Sequence, residues 1–369
     1  MKLTIAKEQL IQGLQAVQNV VGSRTTLPIL SNVLLVASDG RLELTATDLD
    51  VTIAGSVVAT VLKPGKTTVP VKKFFGIARE LNAPEIEIEV DERAVMSLRA
   101  GGSSYKINGL SGEEFPPIAA IKESRAVALP QEKLKAMLRK TSFAASSDEA
   151  RYVLNGIFFS LKEHKVTLVA TDGRRLAMTD EEAEVPTEAE ADFIVPTKAI
   201  NELNRLLLAT GTVELRFSEN QVAFTTFGEG TMGVLIQSKL VDGNYPNYRQ
   251  VIPGECQERI MLNREELLGA LRRAELMTSD KSNSVKLTFS RNQLAVTANT
   301  PEVGEAREEL AINHKGKDLA IAFNPAYLMD PLKALDEDEV AFELIDELSP
   351  GVLKTMKPFL YVIMPMRMT

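Results

Sequence analysis

The chain is 369 residues long, 44% apolar and 25% charged, with a formal net charge of −8. That length leaves room for two or three domains with proper cores, while one cysteine, Cys256, excludes an internal disulfide framework and two distant histidines, His164 and His314, suggest no shared metal site. The opening stretch MKLTIAKEQLIQGLQAVQ carries early charges and no long apolar run, so it reads as neither a secretory signal nor a membrane span, and a cytoplasmic compartment is expected.

Along the chain, LTIAKEQLIQGLQAV (3 to 17) gives a short apolar strand, a polar break and an amphipathic helix predicted over 6 to 22. LSNVLLVASDGRLELTATD (30 to 48) reads as two period-two strands around a turn. TTVPVKKFFGIAREL introduces a second helix over 71 to 81, and EIEIEVDERAVMSLRAGGSSYKI adds closing strands. The series then begins again. VALPQEKLKAMLRKT opens a helix over 130 to 145, LNGIFFSLKEHKVTLVATD (154 to 172) is a strand pair, FIVPTKAINELNRLL opens a helix over 196 to 209, and TVELRFSENQVAFTTF is a further pair. A third copy follows in IMLNREELLGALRRA (helix 263 to 276), VKLTFSRNQLAVTANT (285 to 300), IAFNPAYLMDPLKAL (helix 324 to 336) and VAFELIDEL. Proline at or near the helix starts fits positions where the missing N–H would be unpaired anyway.

Matching helices lie about 125 to 130 residues apart, so each copy is domain-sized. The expected domains are 1–125, 126–253 and 254–369. Each copy also repeats strand, helix and strands internally, and six similar half-units imply approximate rotational symmetry. The expected fold class is α+β, with three similar domains of two helices packed on antiparallel sheets.

An acidic chain argues against a nucleic-acid partner only if its charge is spread evenly. Here the six predicted helices carry +5, leaving −13 elsewhere. Solvated helix faces would explain this in an ordinary protein; in a sixfold repeat the helices could line one basic surface suited to a polyanion. With no Trp and six Tyr, base-stacking platforms are scarce, which favours a duplex backbone read without sequence specificity.

GEGTMG (228 to 233) satisfies a dinucleotide-binding pattern, but the apolar VLIQSKLV that follows reads as a strand, where the fingerprint needs a helix N-terminus. No phosphate-loop, zinc-protease or nucleophile-elbow pattern is present, so an enzyme is the weaker reading, and no cofactor or metal is expected. A nucleotide-using enzyme and a peptide-docking scaffold that never meets DNA are the competing hypotheses. VATDGRRLAMTD (169 to 180) sets an acid and two arginines around a turn with no base or nucleophile beside them. Its first-repeat counterpart TATDLDVTIAG (45 to 55) keeps the Ala-Thr-Asp frame without Gly-Arg-Arg, so the frame belongs to the fold and Gly173, Arg174, Arg175 and Leu176 are additions.

TLPILSN (26 to 32), RYVLNG (151 to 156), VATDGRRLA (169 to 177), SKLVDGNYPNY (238 to 248) and YVIMPMR (361 to 367), in that order, make the chain resemble the bacterial DNA polymerase III beta subunit family, the DNA sliding clamps, over essentially its whole length. The resemblance implies a non-catalytic processivity factor: a head-to-tail homodimeric ring of clamp domains around double-stranded DNA, with helices lining the hole. It implies as partners the polymerase III catalytic subunit, the clamp loader, and other polymerases and repair factors, with no membrane.

For DNA contact the resemblance points to Arg24, Lys72, Tyr152 and Val153, the last replacing an aromatic, with Asp148 where the family has another polar contact; the helix charge tally adds Lys198 and Arg205. At the dimer joint it points to Lys73, Arg99 and Tyr105 on one side and Leu276 and Met277 on the other. Independently, the acidic run PEVGEAREE, with Glu302, Glu305 and Glu308, suits a basic partner edge. For a pocket taking Gln-Leu-x-Leu/Phe-type peptides, matching positions are Leu154, Thr171, Gly173, Arg174, Arg175, Leu176, Pro246, Gln250, Val251, Tyr327, Val362, Met364, Pro365, Met366 and Arg367. Methionines offer an adaptable apolar wall and arginines can anchor carbonyls or carboxylates. Burying a Leu and a Phe at about 1.5 to 3 kcal/mol each, less ordering costs, gives exchangeable binding of order micromolar.

Overall fold

The computed structural model describes residues 1–22, 27–118, 120–121, 124–228, 230, 232–254, 256, 258–279 and 283–367. The chain packs as two compact units: residues 1–135, 186–189 and 198–241 form one, and residues 136–185, 190–197 and 242–369 the other. Six α-helices occur among the described residues: α1 (Lys7–Val17), α2 (Val71–Glu80), α3 (Gln131–Thr141), α4 (Thr197–Leu206), α5 (Arg264–Glu275) and α6 (Pro325–Ala334). Each lies inside its predicted window. The windows overran at the C-terminal ends, where α1 and α3 tighten into the 3-10 turns Gln18–Val20 and Ser142–Ala144, a common way for a helix to use its last carbonyls.

Only α6 takes proline as its first helical residue, with Asn324 Oδ1 accepting the Ala326 N–H at 2.9 Å as the cap. Pro70, Pro130 and Pro196 sit one residue earlier, as the last residue of the preceding strand. α1 buries Leu10, Leu14 and Val17 completely, each worth about 2 kcal/mol against exposure. The helix approaches its sheet so closely at Gly13 that a Cβ there would lie 2.8 Å from Leu44 Cδ1. No described helix is long and apolar enough to cross a membrane.

Every described strand pairing is antiparallel. In the first unit a five-stranded sheet runs in the order Thr60–Lys63, Lys2–Ala6, Glu85–Val90, Val95–Ala100, Ser103–Asn108. Beside it a nine-stranded sheet takes five strands from the first repeat (Leu110–Ser111, Gly65–Pro70, Asn32–Ser38, Arg41–Thr47, Val51–Val58) and four from the second (Val234–Lys239, Gln221–Phe227, Thr212–Phe217, Arg125–Pro130). The seam pairs Ile236 with Ile53 and Ser238 with Val51.

The second unit repeats the device. Its eight-stranded sheet joins Ala191–Pro196, Gly156–Lys162, Lys165–Thr171 and Arg175–Glu182 to Leu360–Ile363, Gly351–Lys354, Glu339–Leu344 and Glu258–Asn263. A four-stranded sheet of Gly304–Ala311, Gln293–Thr300, Val285–Ser290 and Leu319–Phe323 completes it. Sheets therefore cross from one repeat to the next, which is why the compact units cut through the middle repeat.

The predicted strand pairs turn where expected, Asp39–Gly40 and Glu163–His164 both holding two successive positive φ angles, as tight hairpins require. His164 is thus an exposed turn residue, whereas His314 is buried, its Nε2 lying 3.1 Å from the Lys317 carbonyl. After GEGTMG comes the strand Val234–Lys239 and not a helix; residues 229 and 231 of that motif lie outside the described set.

Candidate functional site

The turn at 171–175 is built from its own side chains. Thr171 Oγ1 donates to the Arg175 carbonyl at 2.6 Å and accepts the Gly173 N–H at 3.1 Å. Asp172 Oδ1 accepts the Arg174 and Arg175 N–H groups at 2.9 and 3.1 Å. Gly173 holds φ +83°, and a Cβ on it would lie 2.9 Å from Arg151 Nη1, which donates to the Asp172 carbonyl at 2.8 Å. Gly173→Ala should therefore cost about 1 to 2 kcal/mol, read as a lowered urea midpoint, because it combines a left-handed backbone with displacement of Arg151.

Beyond the turn, strand Arg175–Glu182 pairs with Leu360–Ile363, setting Leu176 opposite Val362, and Met364 N donates to the Arg174 carbonyl at 2.9 Å. Val169, Leu176 and Val362 form a buried apolar floor, packed by Phe158, Met178, Tyr245, Tyr248, Ile252 and Leu360. Phe158 and Tyr245 stack with ring centroids 4.9 Å apart, and burial pushes the Tyr245 hydroxyl well above its ordinary pKa. Around this floor Val251, Met364 and Met366 are exposed at 50%, 45% and 39%, an unusual concentration of open apolar side chains. Gly173, Arg174, Pro246, Gln250 and Arg367 are also exposed, Thr171, Tyr327 and Pro365 half-buried, and Leu154 buried. Pro246 lies on the segment after strand Val234–Lys239, Gln250 and Val251 in its 3-10 turn Tyr248–Val251, and Met366 is fixed by its N–H on the Ala322 carbonyl at 2.7 Å.

Arg175 departs from the sequence reading. Its side chain is only 10% exposed, and its donors are engaged within the chain: Nε to Asp172 Oδ2 at 3.0 Å, Nη1 to Asp330, and Nη2 to the Phe143 carbonyl at 2.7 Å. The guanidinium also lies 4.3 Å over the Tyr327 ring. Burial opposes its charge, but the Asp330 hydrogen bond and the surrounding charges outweigh it, so its pKa stands above the ordinary value. It braces the turn against α6, whereas Arg174 and Arg367 are exposed. Arg151, Phe143 and Asp330 are the members that sequence reasoning missed; only RYVLNG, where Arg151 stands, offered a signal.

Of the nominated DNA-contact residues, Lys72, Lys198 and Arg205 lie in the first compact unit and Tyr152 and Val153 in the second. Arg24 lies outside the described residues. Lys72 is exposed on α2, Tyr152 is 58% exposed, and Val153 is half-buried with its Cγ1 3.0 Å from where a Gly243 Cβ would be. Lys198 pairs with Asp48. Arg205 is engaged within the chain. It donates from Nη1 to the Gln15 carbonyl at 3.0 Å and from Nη2 to the Ala16 carbonyl at 2.7 Å, and both Nε and Nη2 reach Glu202. It thereby satisfies carbonyls at the end of α1 that the helix leaves unpaired. Asp148 likewise works locally: the Ala150 N–H and then Arg151 hold its carboxyl below the usual range.

Of the joint residues, Tyr105 and Glu305 lie on edge strands, Arg99 one strand in from an edge, and Leu276 and Met277 just past α5. Arg99 and Tyr105 lie on neighbouring strands, Tyr105 being 43% exposed on the edge strand Ser103–Asn108, and Lys73 is exposed on α2. Leu276, 75% exposed, and half-buried Met277 follow α5; Glu302 is exposed just before the edge strand Gly304–Ala311 and Glu305 exposed on it. Glu308 is already paired with Arg273 at 2.6 Å, and this hydrogen bond lowers its carboxyl pKa.

Three family models match in order: the DNA polymerase III beta subunit N-terminal domain at residues 1–119, central domain at 128–247 and C-terminal domain at 249–367. The beta sliding clamp of Pseudomonas aeruginosa is 37% identical over all of both chains, and that of Chlamydia muridarum 34% identical over all of this chain and 99% of its own. Among solved structures, the Bacillus subtilis DNA polymerase sliding clamp is similar at TM-score 0.94 and 30% identity, and the Bartonella birtlesii clamp bound to griselimycin at 0.94 and 36%, each covering both chains completely. With its repeats, sheets and turn matched from end to end by these proteins, the chain belongs to the DNA polymerase III beta subunit family, the bacterial beta sliding clamps.

Proposed function

We propose that this chain closes with a second copy, head to tail, into a ring that holds duplex DNA. As a family member it is a DNA sliding clamp and a non-catalytic processivity subunit with three clamp-type domains, which we place at 1–125, 126–253 and 254–369. The observation that carries the ring is the sheet pattern. Strand Val51–Val58 of the first repeat pairs with Val234–Lys239 of the second, and Arg175–Glu182 of the second pairs with Leu360–Ile363 of the third. The counterparts left over are Gly304–Ala311 and Ser103–Asn108, both edge strands with mostly exposed residues. Open edges recruit strands, and Glu305 on one with Arg99 and Lys106 by the other supplies opposite charge. Joining the third repeat of one copy to the first of another, twice, closes the assembly.

Retention then comes from topology, while basic residues such as Lys72 supply a diffuse, salt-dependent attraction that does not trap the protein at any sequence. The polymerase III catalytic subunit, the clamp loader, and other polymerases and repair factors dock their peptides over Leu176 and Val362, with Met364 and Val251 as walls and Arg174 at the rim. Cytoplasmic residence follows from that task. Loaded chain should remain on nicked circular DNA through a high-salt wash and run off the same DNA once linearised, as gel filtration would show; equal retention on both would count against encirclement.

A further inference from the structure

The turn that walls the peptide pocket has a second copy in the first repeat. Thr47 Oγ1 donates to the Val51 carbonyl at 3.0 Å and accepts the Leu49 N–H at 3.0 Å, while Asp48 Oδ1 accepts the Asp50 and Val51 N–H groups at 3.1 and 2.7 Å. These bonds match those of Thr171 and Asp172 residue for residue. Leu49 even holds φ +80°, the conformation that falls to glycine at 173. The closing strand is repeated too: Lys239 N donates to the Asp50 carbonyl at 3.0 Å, as Met364 N does to that of Arg174. Between this turn, strand Val234–Lys239 and the Phe115–Ile118 connector lies a cavity of about 140 Å³, room for about four or five water molecules or one medium-sized side chain.

We propose that this cavity is a second docking pocket for the same Gln-Leu-x-Leu/Phe class of peptide, a reading that rests on the Thr171–Arg175 pocket being the first. Leu49 and Ile118 leave 47% and 42% of their surface open at its mouth, above the buried ring of Phe115. Gln221 and Gln237, whose amides meet at 3.3 Å, line it with groups suited to a peptide backbone and a glutamine side chain, while the Thr52 and Ser238 hydroxyls are held by Thr47 and the Lys239 carbonyl. Lys239 and Asp50, paired at 2.9 Å across the rim with both side chains largely exposed, stand where the first pocket has Met364 and Arg174. Such a pair parts readily, but it replaces the methionine wall, so the site holds one apolar side chain where the first holds two. Its affinity should be about 10- to 100-fold weaker.

The test titrates full-length chain with the peptide fluorescein-Gln-Leu-Ser-Leu-Phe-amide, labelled at its N-terminus, while following the Ile118 δ1-methyl signal by NMR. In a Met364→Lys/Val251→Glu variant, saturable binding should persist about 10- to 100-fold weaker than in the unaltered chain, with the Ile118 methyl shifting in step. Adding Leu49→Lys and Ile118→Lys, both at exposed positions, should abolish what remains. Loss of all binding in the first variant, or residual binding indifferent to the second pair, overturns the second pocket. Full affinity surviving in the first variant overturns the first pocket instead; the Ile118 methyl then decides the second alone, its silence overturning it and its response upholding it.

Discussion

Arg175→Ala should destabilise the chain by about 3 kcal/mol and abolish peptide docking with it. The side chain is 10% exposed and faces Asp172 and Asp330, whose side chains are 15% and 28% exposed. Removing the cation leaves two carboxylates without their shared partner and the Phe143 carbonyl without its donor. Breaking a buried pair costs about 3 to 5 kcal/mol, and water reaching Asp330 places this case at the lower end. Lysine would rescue little, since one ammonium cannot reproduce a fork reaching three acceptors. Arg174→Ala is the contrasting variant: exposed, it should leave stability within about 0.5 kcal/mol while weakening peptide binding. Urea unfolding and peptide titration on the two variants separate the roles. Unchanged stability with weakened binding in Arg175→Ala would make Arg175 a ligand-contacting residue after all.

Leu276→Asp should convert the proposed dimer to a single-chain species at micromolar concentration. Leu276 is 75% exposed at the end of α5, so the folded chain loses little when it changes. Within the proposed joint the same side chain is an anchor, and removing a central apolar anchor costs about 2 kcal/mol. Head-to-tail closure uses the joint twice, so one substitution counts twice and the dissociation constant should rise about 1,000-fold. Sedimentation velocity across a dilution series reads this directly, and an unchanged dissociation constant would remove Leu276 from the joint.

The sequence carried the helices well because apolar residues recur at helical spacing and five of the six have a marked start: the Asn263 cap of α5, the Asn324–Pro325 start of α6 and the prolines ahead of α2 to α4. It carried the strand pairs because turns such as Asp39–Gly40 are local. It could not carry the seams: Ile53 and Ile236 are distant in the chain and nothing near either names the other. Charge counting could not show Arg205's contacts for the same reason. Formal charge records a guanidinium but not the Gln15 and Ala16 carbonyls that occupy it. At Arg175 the side chain's bonding depends on Asp330, whose place on α6 offers no local sign of that contact. The Thr-Asp frame was legible because two copies could be compared and the part they share set apart from Gly173, Arg174 and Arg175.

The seams between repeats also decide where such a ring yields. When strand Val51–Val58 parts from Val234–Lys239, the chain keeps the two ends tethered at an effective concentration on the order of millimolar, and they find each other again. The edges Gly304–Ala311 and Ser103–Asn108 have no such tether. A thermal or applied distortion that loosens all six joints equally is therefore repaired at four of them by the polypeptide itself, and persists as a gap only at the two between chains.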